Sequence, residues 1–259
     1  MPMHPAALLL DLDGTLYVGE DPVPGAPEAL RALAERGVPR RYLTNTTRRS
    51  RRELAARLRA LGYPAEPAEL FTAPVAAAAW LADAGISRAA LYLPRESWED
   101  FPGIEIVDHA PEAVVVGDLG DGWDFATLNR AFRQVMDGAR LVALQKNRYW
   151  MTERGITLDA GPFVAALEYA SGRPAHVVGK PSPDFFRLAL ASLPAGARPV
   201  AVVGDDVETD IAGAQAAGLL GVLVRTGKYR PDVLAASGIV PDAVLASAAE
   251  LPALFDPVD

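Results

Sequence analysis

The sequence contains no cysteine. That absence excludes a disulfide framework, a thiol nucleophile and any zinc site built on sulfur. Histidine is nearly as rare: His4, His109 and His176 share no ligand spacing, so none is assigned a catalytic role. Lysine is scarce too, with only Lys146, Lys180 and Lys228 among the 25 basic residues. The 33 acidic residues leave a formal net charge of −8. This balance argues against a nucleic-acid partner, because phosphate backbones demand a basic face. Long hydrophobic runs are missing as well. The longest, 75–82, is far short of the roughly 20 residues a membrane span needs. The N-terminal stretch has no basic region and its apolar part stops at Asp11, too soon for a signal peptide. The expectation is a cytoplasmic protein with no membrane partner.

What remains is a chain of 259 residues, half of them apolar, without low-complexity tracts. That composition fits a folded core rather than disorder. Short apolar runs at 6–10, 41–43, 89–93, 113–116, 141–144, 176–178, 200–203 and 221–224 read as strands. Between them, apolar residues recur at helical spacing, as in Leu30, Leu33 and Ala34, or Leu128, Phe132 and Val135. Pro27 suits a first helical turn, Asp124 an N-cap, and Gly37, Gly62, Gly172 and Gly218 the ends of helices. This alternation predicts an α/β protein with a doubly wound, mostly parallel, Rossmann-like sheet. The middle third holds all four tryptophans, Trp80, Trp98, Trp123 and Trp150, and acidic turns such as 117–122. A smaller inserted domain at 73–175 is therefore expected, dividing the core into 1–72 and 176–259.

In an open parallel sheet, ligands bind outside the carboxyl ends of the strands. Four apolar runs end in reactive or anion-seeking groups: Asp11-Leu12-Asp13-Gly14-Thr15, Thr44-Asn45-Thr46, Gly179-Lys180-Pro181 and Gly204-Asp205-Asp206. Asp11 and Asp13, two apart, point to the same side of an extended backbone. Gly14 permits a sharp turn in which neighbouring backbone N–H groups approach a ligand. Carboxylates crowded at a dry strand end repel one another and are costly to desolvate. A bound cation relieves both, and oxygen-only donors favour Mg²⁺ over zinc or copper. Asp205 and Asp206 supply further oxygens, and Asp210 can turn back to support the metal or Lys180. A lysine between Gly179 and Pro181 reads as an ammonium for clustered carboxylates and a phosphoryl group.

Each end alone has a plainer reading. The first is also an ordinary acidic turn, and Thr44–Thr46 also suit the N-cap of the helix that follows. Arg48, Arg49, Arg51 and Arg52 read as the solvated opening of that helix. The glycine-rich stretch 117–122 lacks a nucleotide-binding pattern and reads as a turn. Together, the four ends outweigh these readings.

In this order, the four ends resemble the signatures of the haloacid dehalogenase superfamily of phosphotransferases. Val23-Pro24-Gly25, Asn147-Arg148-Tyr149, Gly161-Pro162-Phe163 and Gly227-Lys228-Tyr229 resemble its NagD-like branch, which carries a large α/β cap. The resemblance implies that Asp11 is the nucleophile and Asp13 the general acid/base. It implies Mg²⁺ held by Asp11, the backbone carbonyl of Asp13 and Asp205, with Asp206 and Asp210 behind them. Leu12, Thr44, Asn45 and Lys180 would bind the phosphoryl group of a small phosphorylated metabolite. Asp159 lies in a cap loop that bears on substrate choice in relatives, and Tyr149 and Trp150 would line the same half. Relatives often dimerise through the cap, so a homodimer is expected. Transfer to an acceptor other than water, and a phosphate- or Mg²⁺-sensing module without turnover, remain as alternatives.

Overall fold

The computed structural model describes residues 4–152 and 155–256. Contacts divide the described chain into two units. One comprises the residues up to Thr44, Arg51–Phe71 and those from Lys180 onward; the other comprises Asn45–Ser50 and Thr72–Gly179.

The first unit is built on a parallel sheet. Strand β1 (Ala7–Asp11) is buried at all five positions, as a strand covered on both faces must be. It pairs on one side with β4 (Arg40–Thr44) and on the other with β13 (Val200–Gly204). Outside these lie β5 (Leu70–Thr72), β14 (Leu220–Val224) and β15 (Ala243–Leu245), in the order β15-β14-β13-β1-β4-β5. After β1 the chain makes a tight antiparallel hairpin of β2 (Tyr17–Val18) and β3 (Asp21–Pro22). Helix α1 (Ala26–Glu35) starts with proline in its first turn and buries Leu30 and Leu33. These pack with Leu8, Leu10, Tyr42 and Val203 in one core. Each such side chain contributes roughly 1.5–3 kcal/mol by leaving water. Helix α2 (Arg51–Ala60) begins well past Thr44–Thr46, so those residues do not cap it, contrary to the plainer sequence reading. Helices α6 (Pro183–Ala191), α7 (Gly213–Ala216) and α8 (Pro231–Ser237) complete this unit, together with a π-helical turn at Val207–Ala212.

The second unit has its own parallel sheet, formed by β6 (Arg88–Tyr92), β7 (Glu105–Ile106), β8 (Ala113–Val116), β9 (Arg140–Ala143) and β12 (His176–Val177), in the order β12-β9-β8-β6-β7. Helix α3 (Ala73–Asp83) belongs to the apolar cluster that holds Leu81, Leu91 and Val115. Helices α4 (Phe125–Met136) and α5 (Ala160–Ser171) supply Val135 and Val164 to a second cluster with Val114 and Val116. Neighbouring residues of a strand face opposite sides, so the two clusters cover the two faces of this sheet. Trp80 and Trp123 are structural here. Trp123 lies between Tyr92 and Phe163 at centroid distances of 5.5 and 5.0 Å, and Trp80 stacks on His176 at 4.3 Å. An antiparallel hairpin joins β10 (Tyr149–Thr152) to β11 (Gly155–Leu158). Among the described residues, no helix is long and apolar enough to cross a membrane.

Candidate active site

The site grows from the carboxyl ends of β1 and β13, neighbours in the first sheet although far apart in sequence. Asp11, Lys180, Asp205 and Asp210 are all buried there, Asp205 and Asp210 at 1% exposure. The Lys180 ammonium bridges two acids. It donates to Asp11 Oδ1 and, at 2.7 Å, to Asp210 Oδ1. Thr15 Oγ1 donates to the second oxygen of Asp11 at 3.2 Å. Burial alone would lower the pKa of Lys180, but the two carboxylates hold it above the ordinary value.

The acids are crowded. One oxygen from each of Asp11, Asp205 and Asp210 lies within 4.8 Å of the others. Burial raises all three pKa values. Asp205 and Asp210 are pushed up to about 6, and Asp11 is raised despite the neighbouring Lys180. Three carboxylates face a single ammonium, so their full ionisation leaves two negative charges unmatched. An oxygen-only set with that deficit fits a divalent cation. Asp205 Oδ2 accepts the Lys228 N–H at 2.6 Å, and among the described residues no donor reaches Asp205 Oδ1.

Local sequence explains how the acids converge. Gly204 ends β13 because a Cβ there would overlap the Asp210 carboxyl group. Asp206 caps the π-helical turn, accepting from Glu208 N at 3.1 Å and Thr209 N at 3.0 Å. Burial opposes its ionisation, but these amides and Lys228 hold its carboxyl below the usual range. Its own N–H donates to Asp210 Oδ2 at 3.2 Å, which turns Asp210 back toward Lys180. The chain turns at Gly14, whose φ is +87°. Asp13 then emerges exposed, in bridge pairing with Tyr17. The Tyr17 hydroxyl is buried, and hydrogen bonding to Asp13 adds to the burial that raises its pKa.

Of the residues singled out in the sequence, Asp11, Lys180, Asp205 and Asp210 form one cluster. Asp206 braces it, while Asp13 stays outside the acid triad. Leu12 sends its side chain into the core, and Thr44 is buried at the end of β4. The others lie in the second unit. A Cβ on Gly179 would meet Asn45 Oδ1 at 2.7 Å. Asp159 is turned inward, where it caps α5 by accepting Ala160 N at 2.7 Å and the Gln145 amide. Tyr149 and Trp150 are exposed on the β10–β11 hairpin. Arg48 is not a solvated helix face. It precedes α2, forms a bidentate pair with Asp118 at 2.7 and 3.0 Å, and lies 4.8 Å from the Trp150 ring centroid. Sequence reasoning quoted Thr15 without assigning it a role, and missed Tyr17, Thr226 and the backbone role of Lys228. The Asp-Gly-Thr run and the Gly227-Lys228-Tyr229 triplet were the signals available.

Comparisons with known proteins identify relatives over most of the chain. The family model described as haloacid dehalogenase-like hydrolase matches residues 8–101, and one described as HAD-hydrolase-like matches 177–251. The chain is 43% identical over 224 residues to haloacid dehalogenase-like hydrolase domain-containing protein 2 of Pongo abelii, covering 86% of this chain and 85% of that one. It is 37% identical over 230 residues to phospholysine phosphohistidine inorganic pyrophosphate phosphatase of Rattus norvegicus, covering 86% and 84%. Its fold matches a p-nitrophenyl phosphatase from Archaeoglobus fulgidus with a TM-score of 0.88 and 30% identity, over 96% of this chain and 98% of that one.

Proposed function

Because the chain belongs to the haloacid dehalogenase-like hydrolases, we propose that it is a phosphatase acting on small phosphate monoesters through an aspartyl-phosphate formed on Asp11. The observation that carries this reading is the Lys180 ammonium shared by Asp11 and Asp210 at the buried edge of the sheet. It opposes the rise in pKa that burial imposes on Asp11 and so favours the carboxylate, the form that attacks as a nucleophile. Asp11 attacks phosphorus, and the bond from phosphorus to the ester oxygen breaks. Asp13, exposed beside it, gives its proton to that oxygen. Asp13 then takes a proton from the water that attacks the acyl phosphate, which frees Asp11 and releases inorganic phosphate. Lys180, with Thr44 and the backbone N–H of Leu12, holds the phosphoryl oxygens. Asp11 and Asp205, with the backbone carbonyl of Asp13, would hold Mg²⁺. When bound, the ion neutralises charge on the transferring group.

The test is turnover of p-nitrophenyl phosphate with Mg²⁺. Asp11→Asn is expected to lose nearly all activity while keeping its circular dichroism spectrum. Lys180→Ala is expected to lose about 3–4 kcal/mol of transition-state stabilisation, read from kcat/KM. Wild-type turnover by Asp11→Asn would refute the nucleophile assignment.

A further inference from the structure

The loop after β14 sends no carboxylate into the acid cluster, yet it touches Asp205 and the Gly14 turn beside it. Thr226 Oγ1 donates to the Gly14 carbonyl at 2.5 Å, and Lys228 N donates to Asp205 Oδ2 at 2.6 Å. Gly227, with φ +55°, packs against Gly14 over the same carboxylate. A Cβ on either glycine would overlap Asp205 Oδ2. Strand order gives these contacts their meaning. β13 lies between β14 and β1, so a loop from β14 that meets the loop after β1 must cross the end of β13, where Asp205 sits.

We propose that Thr226-Gly227-Lys228 is a latch that positions Asp205 and thereby sets the cation affinity of the site without contributing a ligand. The inference rests on the reading of Asp205 as a cation ligand and extends it to residues outside the acid cluster. One carboxylate oxygen is fixed by a main-chain donor and walled by two Cα atoms. The carboxylate is therefore held in one orientation before any ion arrives, with Oδ1 left available to it. Hydrogen-bonded partners of metal ligands commonly change metal affinity 10- to 100-fold when removed. The Thr226 hydroxyl keeps the two glycine turns together, and only glycine fits both positions.

The experiment measures Mg²⁺ binding to the full chain by calorimetry without substrate. It is paired with the melting temperature of each metal-free variant and with KM for p-nitrophenyl phosphate at saturating Mg²⁺. Thr226→Val keeps the shape and removes the donor, and it is expected to weaken Mg²⁺ binding about 10-fold or more. Thr226→Ser restores the hydroxyl and is expected to bind within about threefold of wild type. Gly227→Ala is expected to lose at least as much affinity as Thr226→Val. KM at saturating Mg²⁺ is expected to be unchanged in Thr226→Val. Wild-type affinity in Thr226→Val overturns the latch, as does a loss that Thr226→Ser fails to restore. If the wild-type protein itself takes up no Mg²⁺, it is the assignment of Asp205 as a cation ligand that fails.

Discussion

Asp11 and Asp13 are two residues apart and live in different surroundings. Asp11 is buried against an ammonium, and Asp13 is exposed at the turn. A carboxylate paired with a buried ammonium suits attack, and one in contact with solvent suits proton exchange. Leaving-group dependence checks this division. Asp13→Asn is expected to retain much of its turnover on p-nitrophenyl phosphate, whose leaving oxygen needs little protonation. It is expected to lose about 10²–10⁴-fold on an alkyl phosphate. Equal losses on both substrates would remove Asp13 from the role of acid.

The raised acids make a second prediction at this scale. Asp205 and Asp210 hold protons up to about pH 6 in the fold, while unfolded aspartates release theirs near pH 4. The folded state binds more protons between those limits, so cation-free stability falls as pH rises from about 4 to 6. An ion that matches the charge reverses this loss. The rise in melting temperature on adding Mg²⁺ is therefore expected to be larger at pH 8 than at pH 5. It corresponds to about 2.7 kcal/mol when the ion stands at 100 times its dissociation constant. Asp11 and Asp205 were legible in the sequence because each follows or ends a buried apolar run, and Asp210 because it stands one turn further on. The Thr226 bond to Gly14 spans 212 positions, and nothing in either local sequence marks it.

At the scale of elements, the long central strands were readable because burial on both faces makes them continuous apolar runs. β1, β8 and β13 are buried throughout. The strands missed are short or solvated: β2 and β3 have two residues each, β7 two, and β11 alternates half-buried with exposed positions. The helix caps at Asp124 and Gly172 stand where the sequence places them. Thr44–Thr46 misled because a run of hydroxyl and amide residues before a helix resembles a cap, while α2 starts only at Arg51. Trp123 offers a test of element packing. It joins α4 and α5 to the sheet by stacking between Tyr92 and Phe163, and its indole N–H reaches the Gly117 carbonyl at 3.3 Å. Trp123→Ala is expected to destabilise the second unit by about 3 kcal/mol, measured by denaturant unfolding.

For the whole molecule, two sheets with separate apolar clusters imply two cooperative transitions. Scanning calorimetry is expected to show Mg²⁺ raising the transition of the unit that contains Asp11 and Asp205, and Trp123→Ala lowering the other. A single transition moved equally by both changes would mean that the units unfold as one. The topology also orders events in time. β1 pairs with β4, which follows soon after it, and with β13, made nearly two hundred residues later. Lys180 is 169 positions beyond the acid it neutralises. A growing chain therefore carries Asp11 long before the ammonium that pairs with it has been synthesised. If Asp11 is the nucleophile, a nascent chain that ends before Lys180 and β13 is expected to show no phosphatase turnover.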